Sequence, residues 1–198
     1  MFNVEEALRL FHEALRLQPA HADALYNLGN LYAAQGKFGL AKQHFEEAVR
    51  LLPNYAEARS NLGQLLAEQG DIEGGLAQFR KSIQLNPKVT RAYLNLGVAL
   101  AKQGQLEDAL EPLKRVTQLA PDHPEAHYYL GSVYAALGRY AEAASFFREV
   151  LRVQSDNAGA HQRLAEVLSL QGKQQEAHRH YQEAMRLMKA PTASGGVR

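Results

Sequence analysis

The chain contains no cysteine. That excludes disulfides and thiolate metal sites, but a reducing or an oxidising compartment would each tolerate a thiol-free chain. It also lacks an excess of charge of either sign: 22 basic residues stand against 21 acidic ones, and no long basic run interrupts the balance. A phosphate backbone would need such a footprint, so nucleic acid is not an expected partner. No apolar run approaches the roughly 20 residues of a membrane span. The opening "MFNVEEALRLFHEALRL" carries acids at helical spacing where a signal peptide needs a basic start and a solid apolar stretch. The chain reads as soluble and unprocessed, with the cytoplasm as the expected setting.

What is present is a period. Pro19, Pro53, Pro87 and Pro121 follow one another at steps of 34, and the same step links Gly29, Gly63, Gly97 and Gly131, then Gly36, Gly70, Gly104, Gly138 and Gly172. Five units are expected, at 22–55, 56–89, 90–123, 124–157 and 158–189. Residues 1–21 fit only the second half of a unit whose first helix is missing, as if cut from something longer. The tail 190–198 lacks apolar spacing and is expected to be disordered.

Within a unit, one helix runs to the glycine, where a left-handed residue can end it, and a second helix runs to the proline. In the first unit Phe38, Ala41, Phe45, Ala48 and Val49 lie on one face of that second helix. Small residues at Gly29 and Ala41 let the two helices approach closely. Asn54 and Asp122 are expected as N-caps, with Glu57 and Glu125 closing capping boxes. Gly74 and Gly75 predict a frayed start to one second helix, and Pro112 a kink in another. Gln174, where other units carry Phe38, Ile72, Leu106 and Tyr140, fits a terminal, partly uncovered unit.

Leucine-glycine in the first helix, glycine at the turn, alanine with an aromatic in the second helix and proline at the end together resemble the tetratricopeptide repeat over roughly residues 1–188. The resemblance implies an all-α, right-handed α-solenoid of helical hairpins. Its concave wall would be built from first helices, whose exposed stripe reads Asp23, Asn27, Asn30, Ala34 in the first unit and places Asn61, Gln64 and Asn95 at matching points later. An asparagine amide offers a donor and an acceptor, so a ladder of them can hold the backbone of an extended peptide whatever its side chains. The expected peptide-binding residues are Asn27, Asn30, Asn61, Gln64 and Asn95, joined by Tyr128, Tyr129 and Arg163 as an aromatic and cationic anchor. The stripe is similar to the asparagine-lined groove of the O-linked N-acetylglucosamine transferase repeats, which hold extended protein segments. A carboxylate clamp of the chaperone-tail kind would need basic residues before the asparagines, where Tyr26, Ser60 and Leu94 stand instead.

His127 and His161 occupy equivalent places in adjacent units but lack a third ligand, and His178 and His180 point to different helix faces, so no metal and no cofactor are expected. No nucleophile motif or phosphate loop is visible, and no enzyme activity is expected. The function expected is a protein–protein interaction scaffold for extended segments. A substrate-recruiting arm of a larger enzyme, such as a glycosyltransferase, is the alternative. A homo-oligomer through the amino-terminal helix is also expected, because Val4, Ala7, Phe11 and Ala14 lack the helix they would pack on, while Leu8 and Leu15 lean on the next unit.

Overall fold

A computed structural model describes residues 3–189. It contains α1 (Val4–Leu17), α2 (Ala22–Ala34), α3 (Phe38–Leu51), α4 (Ala56–Glu68), α5 (Ile72–Leu85), α6 (Thr90–Lys102), α7 (Leu106–Leu119), α8 (Pro124–Ala136), α9 (Tyr140–Val153), α10 (Ala158–Leu170) and α11 (Gln174–Lys189), and no strand among the described residues. The helices form two compact units, Met1–Ala99 and Leu100–Arg198. In the first, α2 packs on α3 and α4 on α5; in the second, α8 packs on α9 and α10 on α11. The expected tail at 190–198 lies outside the described residues.

Each hairpin turns at a glycine with φ between 72° and 93°, at Gly36, Gly70, Gly104, Gly138 and Gly172, a backbone conformation that costs other residues steric strain. The N-caps differ from expectation by one residue. His21 and His123 use Nδ1 to accept the amides of Ala24 and Ala126, each at 3.3 Å, and Asn157 accepts that of Ala160 at 2.9 Å. Tyr55 and His123, rather than Asn54 and Asp122, take the N-cap places of α4 and α8, because Pro124 with its fixed φ opens α8 as the first helical residue.

The hairpins close on aromatic rings. A Cβ added at Gly29 would lie 2.5 Å from the Phe45 ring, at Gly63 2.8 Å from Phe79, and at Gly131 2.8 Å from Phe147. All three rings are buried almost completely. The glycine of the first helix therefore makes room for a phenylalanine. Ala41 lies fully buried beside it, whereas Phe38, expected on the same face, is 47% exposed. The fraying expected at Gly74 and Gly75 is absent: α5 begins at Ile72, and Asp71 caps the amide of Gly74 at 2.9 Å. A Cβ at Gly75 would meet the carbonyl oxygen of Gly63 at 2.8 Å, so this glycine serves a close helix crossing that offsets its poor propensity. Helix α7 runs unbroken through Pro112.

Candidate peptide-binding site

In the first unit a cavity of about 660 Å³ opens among α2, α3, α4 and the start of α6. Asn30, Asn61 and Gln64 line it, together with Tyr26, Ser60, Glu57, Glu68, Arg91 and the exposed ring of Phe38. The amides interlock. Asn61 Nδ2 donates to Asn30 Oδ1 at 2.7 Å and more weakly to the Tyr26 hydroxyl at 3.5 Å. One repeat on, Asn95 Nδ2 reaches Gln64 Oε1 at 3.5 Å, while Gln64 Nε2 donates to Glu68 at 2.9 Å. Helix α2 is thus tied to α4, and α4 to α6, by an amide pair. Asn61 Oδ1 and Asn30 Nδ2 are left without a partner among the described residues, one acceptor and one donor, which is the complement of a peptide unit.

Asn27 is not brought to the cavity. Its Nδ2 donates to the Asp23 carbonyl of its own helix at 2.8 Å, a local bond that competes with facing outward. Tyr55 packs on Tyr26 with ring centroids 5.0 Å apart, and burial, followed by its hydrogen bond with Asp23, holds its hydroxyl far above the usual tyrosine range.

The second unit repeats the geometry with other chemistry. Tyr128, three 34-residue steps after Tyr26, is half-buried and sets its ring 5.6 Å from Phe147, as Tyr26 lies 5.9 Å from Phe45. Arg163 stands where Asn61 does and donates to Glu166, in the place of Gln64, at 3.0 Å. The Glu166 carboxylate is the main cause that raises the Arg163 pKa, and a smaller contribution comes from the Tyr128 hydroxyl. Tyr129 packs edge-on to Tyr128 at 6.2 Å, and burial pushes its pKa upward. The three residues expected as an anchor therefore form one cluster.

The histidines have structural work. His127 Nε2 donates to the Pro121 carbonyl at 2.7 Å, His161 Nε2 to that of Ser155 at 3.1 Å, and Arg59 Nε to that of Pro53 at 2.8 Å. The three lie at one repeat position and each satisfies a carbonyl six residues upstream. His161 meets His180 rather than His127, with their Nδ1 atoms 2.9 Å apart. No group of three or more metal-binding side chains occurs among the described residues.

Profiles of the tetratricopeptide repeat match residues 22–55, 60–124, 94–158 and 162–190, and a TPR repeat profile matches 3–36. The chain belongs to the tetratricopeptide repeat family. No curated protein matches it. Among solved structures it is similar to MamA residues 41 to the end from Desulfovibrio magneticus RS-1, with 23% identity and a TM-score of 0.79 over 87% of this chain and 97% of that one. YrrB, described as a TPR protein with an unusual peptide-binding site, shares 21% identity at a TM-score of 0.76, covering 91% and 93% of the two chains. Pseudomonas aeruginosa PilF shares 22% at 0.77, covering 89% and 78%. These tetratricopeptide repeats form an all-α solenoid fold, and no described helix is long and apolar enough to cross a membrane.

Tyr26, Phe38 and Ser60 share the cavity with the amides although the sequence did not mark them as site residues, and Glu57, Glu68 and Arg91, which lie on the same first-helix stripe as the amides, join them. A signal for Ser60 was available: its repeat position carries Tyr26, Leu94, Tyr128 and Gln162 elsewhere, so one small residue interrupts a column of large ones.

Proposed function

We propose that this chain is a scaffold that binds extended segments of other proteins, with the amides of the first unit holding the backbone of one segment and Tyr128, Tyr129 and Arg163 of the second unit forming an anchor of their own for a side chain. The observation that carries the reading is the unused pair, Asn30 Nδ2 and Asn61 Oδ1, beside a cavity with room for a chain. A partner group there would replace water at two polar atoms and gain hydrogen bonds worth about 0.5 to 1.5 kcal/mol each. The test is capture of partners followed by peptide mapping, then affinity measurements on the Asn30→Ala/Gln64→Ala double variant. Binding should weaken about tenfold, and normal affinity for every mapped segment would sink the reading.

A second contact surface is favoured by α1. Of the face expected to lack its packing helix, Val4 is exposed while Ala7 is buried and Phe11 and Ala14 are half-buried; Leu10 and Leu17, on another face, are 53% and 72% exposed, and Leu15 packs on the cluster of Leu25, Ala48 and Ala58. Apolar surface of this kind favours self-association. Light scattering over a wide concentration range should show a dimer that Leu10→Glu disperses, and a monomer throughout would remove this part of the proposal.

A further inference from the structure

Ser60 is 1% exposed, its hydroxyl has no hydrogen-bond partner, and it lines the cavity of the first unit. A buried polar group left unpaired costs stability, which is why such groups in native proteins call for an explanation. The same repeat position carries the larger Leu94 and Tyr128 elsewhere, so the cavity is lined here by the smaller side chain. Ser60 lies one helical turn from Glu57 and one from Gln64. Glu57 receives only the neutral amide of Asn86, at 3.4 Å, and Glu68 only that of Gln64. Neither carboxylate has a cation within ion-pair distance among the described residues, and Arg91 alone among the lining residues is positive, so negative charge is in excess.

We infer that this cavity is a pocket for a basic side chain, lysine or arginine, of the bound segment, with Ser60 at its base and Glu57 as the countercharge. The inference rests on the groove reading above and names the chemistry that groove selects. An aliphatic tip would leave the serine hydroxyl unpaired, and an acidic tip would face Glu57 and Glu68. A neutral amide could meet the hydroxyl but gains little from the carboxylates. A basic tip meets both, and its methylene stem packs on the apolar walls of Tyr26, Leu65 and Val89.

The test pans a displayed library of randomised peptides, about twelve residues long and so long enough to cross the cavity when extended, against the full chain and the variants Ser60→Leu, Glu57→Gln and Asn30→Ala/Gln64→Ala. Leucine is already accommodated at that position in the next repeat, where Leu94 is buried. The wild type should select peptides with lysine or arginine enriched about tenfold at one fixed place, the gain expected of a charge-assisted hydrogen bond. Ser60→Leu and Glu57→Gln should lose that preference while still selecting peptides. Selection with no basic place, or a basic place unchanged in both variants, overturns the inference and leaves the groove reading standing. Selection by the wild type no better than by Asn30→Ala/Gln64→Ala overturns the groove reading and the inference with it.

Discussion

The first and fourth repeats are two versions of one hairpin. His21 and His123 cap them, Tyr26 and Tyr128 lean on Phe45 and Phe147, and Gly29 and Gly131 admit those rings. Even the outer face agrees: Tyr32 stacks on His44 at 5.3 Å under Lys37, and Tyr134 stacks on Phe146 at 5.3 Å under Arg139. On the stripe the neutral amide pair of Asn30 and Asn61 is not repeated: Ser132 and Arg163 stand in those places, and Arg163 pairs instead with Glu166, in the place of Gln64. The packing positions shared by the two hairpins are thus kept while the stripe changes its chemistry, although the amides of that stripe in the first unit also tie helix to helix.

The largest effect expected comes from the shared set. Phe45→Ala and Phe147→Ala should each cost about 3 to 5 kcal/mol in urea unfolding. A clear inequality between them would break the equivalence of the two hairpins. Gly29→Ala and Gly131→Ala should each cost about 1 to 3 kcal/mol, since the added methyl meets a ring that cannot retreat far, and the better helix propensity of alanine offsets only part of this. The exposed stripe should separate the units. Asn61→Ala removes the donor to Asn30 Oδ1 from a site only 9% exposed and should cost about 1 kcal/mol. Arg163→Ala breaks an exposed pair and should change stability by less than about 1 kcal/mol. This revises the simpler expectation that the asparagines serve binding alone.

The smallest effect concerns pH. Burial, then the neighbouring His161, holds the His180 pKa below its ordinary value, and burial, then His12, does the same to His44. In each case the unfolded chain takes up more protons, so stability is complete above the ordinary histidine value and is lost as pH falls through it towards the lower folded value. Glu176 opposes the shift at His180, and Arg148 adds to it. The melting temperature should drop on acidification, and His180→Gln should reduce that drop while leaving the share due to His44.

The hairpins were legible because their signals are local and repeated: a left-handed glycine returns at every step of 34, and a helix-ending proline does so until Ser155 takes its place. The N-caps were missed by one residue: at α8 a histidine lone pair replaces the usual carboxamide or hydroxyl acceptor, and at α4 Tyr55 takes the place with no side-chain cap bond at all. The glycines of α5 looked unfavourable by propensity because the close approach of Gly63 is a tertiary fact. At the candidate site the sequence placed Asn30, Asn61 and Gln64 on one stripe but could not show that they bond to each other. It set Glu57 and Arg91 at one repeat position of that stripe but could not bring Phe38 of α3 to them, because that contact exists only in three dimensions.

The open hairpin turns have a practical consequence. No atom outside the local chain comes within 4 Å of a methyl placed at Gly36, Gly70, Gly138 or Gly172, and the exposed residue that follows each one begins a helix cap. With no native thiol to compete, Lys37→Cys with Asp71→Cys in the first unit, or Arg139→Cys with Lys173→Cys in the second, would carry a pair of spectroscopic probes at solvent-facing corners. The spacing between the probes would then report whether neighbouring hairpins spread apart when a partner strand enters between them.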